Sequence, residues 1–267
     1  AEVNIHDCVI EQSQDVGVYV LGGPCNVQSN TFKDCKVGLQ VREGTVSNNT
    51  FYDISEYAIK HSGTGEVFLT SNTVMSSKYS VYQGVGAIVY SNNDFSGADN
   101  QTVVVGGELN DNKSWPDVGY PYLVVSDFTI SESATLTIEA GVVVKFDAVD
   151  DAYNSYRHRN DLIVEGVLAL QGTTSSPVVF TSSRDDTYGG DSNGDGDASN
   201  PSKGNWGSIK YTGAIPNILS HAIIRYGGVE RSYDLGNYTN PYMVWVVSPA
   251  EVNIHDCVIE QSQDVGV

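Results

Sequence analysis

The tract DDTYGGDSNGDGD, residues 185–197, gathers oxygen ligands in a short span. Asp191, Asn193 and Asp195 fall at positions one, three and five of a loop, Gly196 at the sixth and Asp197 at the seventh. Alternate side chains on a tight loop converge on one point, and glycine at the sixth position permits the sharp turn of a calcium loop. The twelfth position is Ser202 rather than a bidentate Glu, and no helical pattern flanks the tract, so an EF-hand is excluded. Asp185 and Asp186 are candidate extra ligands. Carboxylates crowded this closely repel one another without a cation among them. Ca2+ is therefore the expected cofactor, and Mg2+ is disfavoured because it prefers to keep its waters. The alternative is a solvated Asp/Gly turn. A second acidic group, Asp147, Asp150 and Asp151 with Asn154, has no distinctive spacing and reads as a hydrated loop.

Nucleophilic and metal chemistry find little else. His6, His61, His158 and His221 show no metal-ligand spacing, and His255 repeats His6. There is no phosphate-binding loop. The distinct cysteines are Cys8, Cys25 and Cys35, because Cys257 repeats Cys8. A Cys25–Cys35 bridge would leave Cys8 as a buried thiol; cysteine alone does not settle the compartment.

The elements that must carry these residues repeat. VQSNTF (27–32), VSNNTF (46–51), LTSNTV (69–74) and YSNNDF (90–95) share the frame apolar-x-x-Asn-x-apolar. Their asparagines, Asn30, Asn49, Asn72 and Asn93, lie 19, 23 and 21 residues apart. IHDCVI (5–10) puts Cys8 in the Asn slot, and LSHAII (219–224) puts Ala222 there. After the motifs come short alternating runs such as VGVYV (16–20), VGLQV (37–41), YAIKH (57–61), YSVYQ (79–83) and TVVV (102–105). A period near 20 residues made of short strands predicts a solenoid. One turn cannot bury its inward side chains, but stacked turns form a continuous apolar column. Asparagines at equivalent corners can bond along the stack and satisfy buried turn backbone. Residues 1–105 are read as regular coils with this ladder of Cys8, Asn30, Asn49, Asn72 and Asn93.

Residues 106–249 are less regular but strand-rich, with no helical period sustained over three turns. Four long loops are expected there: 106–122, 147–161, 183–206 and 226–243. Tyr120, Tyr122, Tyr153, Tyr156, Tyr233, Tyr238 and Tyr242 fall in or beside them and are expected to pack the loops down. Composition agrees with an all-β reading: 27 Gly, only two Met and 40% apolar residues. With 33 Asp and Glu against 14 Lys and Arg, the surface repels phosphate backbones and anionic lipid. Nucleic acid is not expected as a partner. No apolar run reaches the length of a membrane span. Neither a signal peptide nor an initiator Met is present, which points to a piece of something longer. Sequons at Asn48, Asn100, Asn112 and Asn237 matter only in a host that glycosylates them.

The phrases PYLVVSDFTISESATLTIEAGVVVKF, LIVEGVLALQGTTSSPVVFTS, GGDSNGDGDASNP, GNWGSI and NILSHAIIRYGG, in that order, resemble the right-handed parallel β-helix repeats of large secreted bacterial surface proteins. These share a pectate-lyase-like architecture, and the calcium tract resembles the isolated DxDxDG loops of extracellular proteins. The resemblance covers nearly the whole chain. It implies an all-β, right-handed parallel β-helix with long loop insertions, on or outside a cell. Because the fold also hosts lyases and glycosidases, Arg184 beside Asp185–Asp186, and Arg157-His158-Arg159, are the candidates for proton abstraction or acid–base work. No Gly-His-Gly or Arg-Ile-Lys element of the polygalacturonase type occurs. Arg225 is expected to point outward. No catalytic residue is assigned, and the chain is expected not to be an enzyme; a polysaccharide-binding or polysaccharide-cleaving β-helix is the alternative.

One feature sets the expected role. AEVNIHDCVIEQSQDVGV occupies residues 1–18 and, unchanged, residues 250–267. Residues 250–267 are read as the start of the next tandem repeat. At about eight coils of ~4.8 Å, one period would advance roughly 4 nm. The expected function is a structural repeat unit of a calcium-stabilised extracellular filament or giant cell-surface protein, with adhesive loops. Its expected partners are neighbouring repeats of the same chain or identical subunits end to end, and surface glycans.

Overall fold

The structure is a computed structural model that describes residues 2–148, 159–228 and 242–267. Among these residues every regular element is a β-strand. The chain folds as an all-β parallel β-helix, in two compact units, Ala1–Val104 and Val105–Val267.

In the first unit, apolar and β-branched runs too short to fold alone are laid one upon the next. Val3–His6, Cys25–Gln28, Gly44–Ser47, Glu66–Thr70 and Ala87–Ser91 form one parallel sheet. Val9–Glu11, Thr31–Val41, Thr50–His61, Ser77–Tyr82 and the first part of Ala98–Leu109 form another. Val16–Tyr19 ladders on the far end of Thr31–Val41. The chain passes between sheets at a left-handed residue: Asp7, Ser29, Asn48, Ser71 and Asn92 have φ of 55°, 57°, 55°, 54° and 52°. Asn and Asp tolerate this region because their short side chains bond locally. The parallel register sets like on like. Val27, Val46 and Leu69 form one fully buried column, and Phe32 stacks on Phe51 at 4.8 Å and 7°. Each such burial contributes about 1.5–3 kcal/mol.

In the second unit Tyr122–Ile130 forks. Its first residues ladder on Val143–Phe146 and its last on Leu162–Val164. One branch continues through Val178–Ser182, Ala222–Arg225 and Val258–Glu260; the other continues through Ile209–Tyr211 and Val244–Val246. Lys113–Trp115, Thr135–Ile138 and Val167–Leu170 make a third sheet, and Asn217–Ser220 pairs with Val252–His255. Aromatic stacks fill this core: Trp115 on Tyr122 at 4.8 Å, and Phe146 on Trp206 at 4.1 Å. The expected loop 106–122 is partly strand, since it holds the end of Ala98–Leu109 and all of Lys113–Trp115. The segment 183–206 contains no strand. Most of 147–161 and 226–243 lies outside the described residues, including Asp150, Asp151, Tyr153, Asn154, Tyr156, Arg157, His158, Tyr233, Asn237 and Tyr238.

The two copies of the eighteen-residue stretch fold alike. Val3–His6 and Val9–Glu11 match Val252–His255 and Val258–Glu260, with left-handed residues at Asp7 and Gln12 and again at Asp256 and Gln261.

Candidate functional site

Directly after Asp7, Ser29, Asn48, Ser71 and Asn92 comes the slot residue, and in the last four it is an asparagine whose amide joins the stack. The backbone N–H of Asn30 donates to Asn49 Oδ1 at 2.9 Å, and Asn30 Nδ2 donates to the same oxygen at 3.0 Å. Asn49 repeats this pair of bonds on Asn72 at 3.1 and 3.0 Å, and Asn72 on Asn93 at 3.0 and 3.0 Å. The second amide hydrogen of Asn30, Asn49, Asn72 and Asn93 goes to the carbonyls of Ile5, Val27, Val46 and Leu69. Cys8 joins by its backbone alone, donating its N–H to Asn30 Oδ1 at 3.0 Å. An amide serves here because it both donates and accepts. In the second unit Ala222 fills the slot, and Asn217 works singly, donating to Gly166 O and accepting from Leu168 N–H.

The acidic tract folds around one carboxylate. Asp191 Oδ1 accepts the N–H groups of Asn193 and Gly194 at 3.2 and 2.8 Å, and Oδ2 that of Gly196 at 2.8 Å. Asn193 Nδ2 donates to Asp195 Oδ2 and Ser199 Oγ. Asp195 and Asp197 are exposed. Asp185 is buried, and protein groups surround its carboxylate: Thr181 Oγ1 donates to Oδ2 at 2.6 Å, Thr187 Oγ1 donates to Oδ1, and Arg225 Nε lies 3.8 Å away.

Sequence reading overlooked Lys145. Its side chain is fully buried, and Nζ donates to the carbonyls of Asp185 (3.0 Å) and Gly190 beneath the acidic tract. Burial pushes its pKa down to about 8, against the pull of Asp186, Asp185 and Asp191. The available signal was a lysine inside the apolar strand VVVKF. The Asp186 carboxyl is raised by burial, opposed by Lys145, and raised further by Asp191, Asp195 and Asp197.

Two buried oxygens of the tract, Asn193 Oδ1 and Asp186 Oδ1, accept no hydrogen bond. Orphaned oxygens beside carboxylates suit a hard cation. Among the described residues, no three His, Cys, Asp or Glu side chains converge as a metal-holding group. The fit to Ca2+ therefore rests on the amide oxygen of Asn193 with Asp186, and not on a cage of carboxylates.

Arg225 alternates with the buried Ala222 and Ile224 along its strand, yet its side chain is covered: it is only 16% exposed, 3.3 Å from Glu260 Oε1, with its guanidinium 4.6 Å from the Tyr226 ring centroid. A buried carboxylate such as Asp185 needs a countercharge close by. Among the other candidates, Arg159 Nη1 reaches Asn205 O at 3.5 Å, and buried His61 bonds Arg42 O at 2.9 Å. His6 pairs with exposed Asp7, and the His221 and His255 rings meet edge to face. All four cysteines are free thiols. Cys25 and Cys35 sit buried in different sheets, and Cys8 is exposed rather than buried. Tyr122 is buried and donates to Pro116 O, which ties down the turn before it. Of the sequons, Asn48 and Asn112 are exposed, while Asn100 is buried with Nδ2 on Lys78 O. No helix among the described residues is long and apolar enough to cross a membrane, which leaves strand-built crossings untouched.

No curated protein and no solved structure matches this chain. Residues 1–107, including the whole asparagine ladder, match the family described as right handed beta helix region, and with its stacked parallel rungs the fold is an all-β, right-handed parallel β-helix.

Proposed function

We propose that this chain is the structural repeat unit of a long extracellular filament or giant cell-surface protein, stabilised by Ca2+ and presenting its loops for adhesion. One observation carries the reading. The same rung occurs twice with matching strands, Val3–His6 and Val9–Glu11 in one copy and Val252–His255 and Val258–Glu260 in the other, bonded forward onto Cys25–Gln28 and Thr31–Val41 in the first and backward onto Asn217–Ser220 and Ala222–Arg225 in the second. A rung that fits neighbours on both sides is what a repeating ladder needs at the junction between periods. Its partners are then neighbouring repeats of the same chain or identical subunits end to end, with surface glycans as targets of the loops. Backbone ladders bear the load, and no catalytic step is required. Ca2+ would be held by Asn193 and Asp186 within the 185–197 tract and would supply the positive charge that its acidic side chains lack.

The test is a longer polypeptide in which residues 19–267 are appended after Val267 one or more times. Electron micrographs should show rods that lengthen by about 4 nm per added period, and the periods should unfold together. Beads of fixed size that unfold one by one would sink the reading. The alternative, a polysaccharide-binding or polysaccharide-cleaving β-helix, is favoured by an open polar groove of about 490 Å³ lined by residues including Gln12, Ser13, Asp34, Lys36, Asp53 and Ser55. Retention or turnover of acidic glycans by the isolated chain would support it.

A further inference from the structure

At the corner just before the slot, the rungs carry small polar residues: Asp7, Ser29, Asn48, Ser71, Asn92 and Asp256 hold φ between 51° and 57°. His221 holds φ 49° at the equivalent corner and puts an imidazole there instead. Among the described residues, neither nitrogen of that ring has a hydrogen-bond partner. The following rung brings a second imidazole to it. Ser220 pairs with His255, so the next residues, His221 and Asp256, stand one above the other. His255 Nδ1 donates to Asp256 Oδ2 at 2.9 Å, which leaves the lone pair of Nε2 free. The His221 and His255 rings meet edge to face, with centroids 6.2 Å apart and planes at 83°. A cavity of about 280 Å³ opens beside them, lined by residues including Thr173, Thr174, His221 and Asp256.

We propose that His221 and His255 together bind a divalent transition-metal ion of the zinc type. Imidazole nitrogen suits zinc, copper and nickel, whereas Ca2+ takes oxygen, so this site is chemically separate from the 185–197 tract. Each metal–nitrogen bond is ~2.0–2.1 Å. Two such bonds, with each ring centre lying behind its nitrogen, span the separation of the two rings. Asp256 is the positioning residue. A carboxylate on the far nitrogen of a ligating histidine fixes its tautomer and raises its basicity. Among the described residues no third His, Cys, Asp or Glu side chain completes a cage, so water from the cavity takes the remaining positions of a tetrahedral ion. The first copy of the stretch sharpens the assignment. His6 Nδ1 and Asp7 Oδ2 form the same clamp at 2.9 Å, yet among the described residues no second imidazole meets His6. The clamp is therefore local geometry, and His221 is what turns it into a site. Both rungs lie within one chain, so the proposal needs neither the repeat-unit reading nor Ca2+.

Isothermal titration of the full 267-residue chain with ZnCl2, at fixed NaCl and CaCl2, tests this. One zinc per chain is expected, bound well above the diffuse uptake of cations by the acidic surface. His221→Asn should abolish it while leaving the zinc-free melting temperature unchanged or higher, because asparagine tolerates a left-handed corner. His255→Gln, at an exposed position, should abolish it as well. Asp256→Asn keeps both imidazoles and should weaken binding by ~10–100-fold. His6→Gln should change nothing. Cu2+ bound in place of zinc should show two nitrogen ligands by electron paramagnetic resonance. Zinc uptake that survives both His221→Asn and His255→Gln, or a copper spectrum with oxygen ligands alone, would put the ion on surface carboxylates and overturn the proposal. A chain that takes up no zinc would overturn it too, as would a loss on His6→Gln equal to that on His221→Asn.

Discussion

Asn49 makes four side-chain hydrogen bonds: two from its Nδ2, to Val27 O and Asn72 Oδ1, and two onto its Oδ1, from Asn30. Asn49→Ala removes them all and strands the Asn30 N–H and the Val27 carbonyl among buried groups. Each orphan costs about 1–3 kcal/mol, so a loss of about 3–5 kcal/mol is expected from urea unfolding. Asn49→Asp keeps the acceptor for Asn30, but it cannot donate to Val27 O or Asn72 Oδ1 and it buries a carboxylate, so no net recovery of stability is expected. Lys145 makes a prediction of a different kind. Its folded pKa of about 8 lies below the ordinary 10.5. Between those values the unfolded chain holds the proton and the folded chain does not, so stability from this group rises with pH across that window. Below about 8 both states are charged, and the burial penalty is present in full. The whole difference is worth about 3 kcal/mol. Urea midpoints at pH 7.5 and 9.5 should therefore diverge for the native chain and draw together in Lys145→Met. The comparison belongs below about pH 10, where Tyr122 and Tyr211 begin to matter. Burial raises both hydroxyls, so above that pH the unfolded chain loses protons first and stability falls.

At the scale of the element, packing between successive rungs decides what each position tolerates. A Cβ built on Gly38 would lie 2.7 Å from the Ala58 carbonyl and 2.8 Å from the Phe51 ring. Neither neighbour can retreat, since Ala58 is within Thr50–His61 and Phe51 is stacked on Phe32. Gly38→Val should lower thermal stability by about 1–3 kcal/mol or more through overpacking, with Gly38→Ala intermediate; circular dichroism melts of the full chain would measure both. The sequence shows the period because apolar-x-x-Asn-x-apolar is a demanding frame: the slot calls for an amide and the flanks for β-formers. It hides the corners, because Asp7, Ser29, Asn48 and Ser71 are ordinary turn residues whose left-handed φ leaves no mark of its own. It also hides how runs join. The two runs around Asn30 and Leu39 read as separate, yet Thr31–Val41 is one strand with a bulge between Cys35 and Val37. The tract 185–197 was visible as a cluster of acids, whereas Lys145 and Arg225 lie 40 residues to either side of Asp185 and meet it only through the fold.

Across the whole chain, 33 acidic residues stand against 14 basic ones, a net charge of −19. Self-repulsion of that size opposes the compact state. Exposed pairs such as Lys33–Glu11 and Lys36–Glu56 offset little of it, since each contributes about 0–1 kcal/mol. Two remedies are physically distinct. Monovalent salt screens every exposed charge over a Debye length of about 8 Å at physiological strength. A bound cation acts at one place and by mass action, adding about 2.7 kcal/mol at a hundredfold excess over its dissociation constant. Raising NaCl from about 20 to about 150 mM should therefore raise the melting temperature of the native chain and of every loop variant alike. At matched ionic strength, Ca2+ should raise it further and EDTA should reverse the gain. Asp186→Asn combined with Asn193→Ala, which removes one orphaned oxygen and one carboxylate charge, should keep the NaCl response and lose the Ca2+ increment. If Ca2+ and Na+ act identically at equal ionic strength in the native chain, then Lys145, Arg225 and the N–H groups around Asp191 supply the positive charge the tract uses. Its acidity would then serve solubility alone.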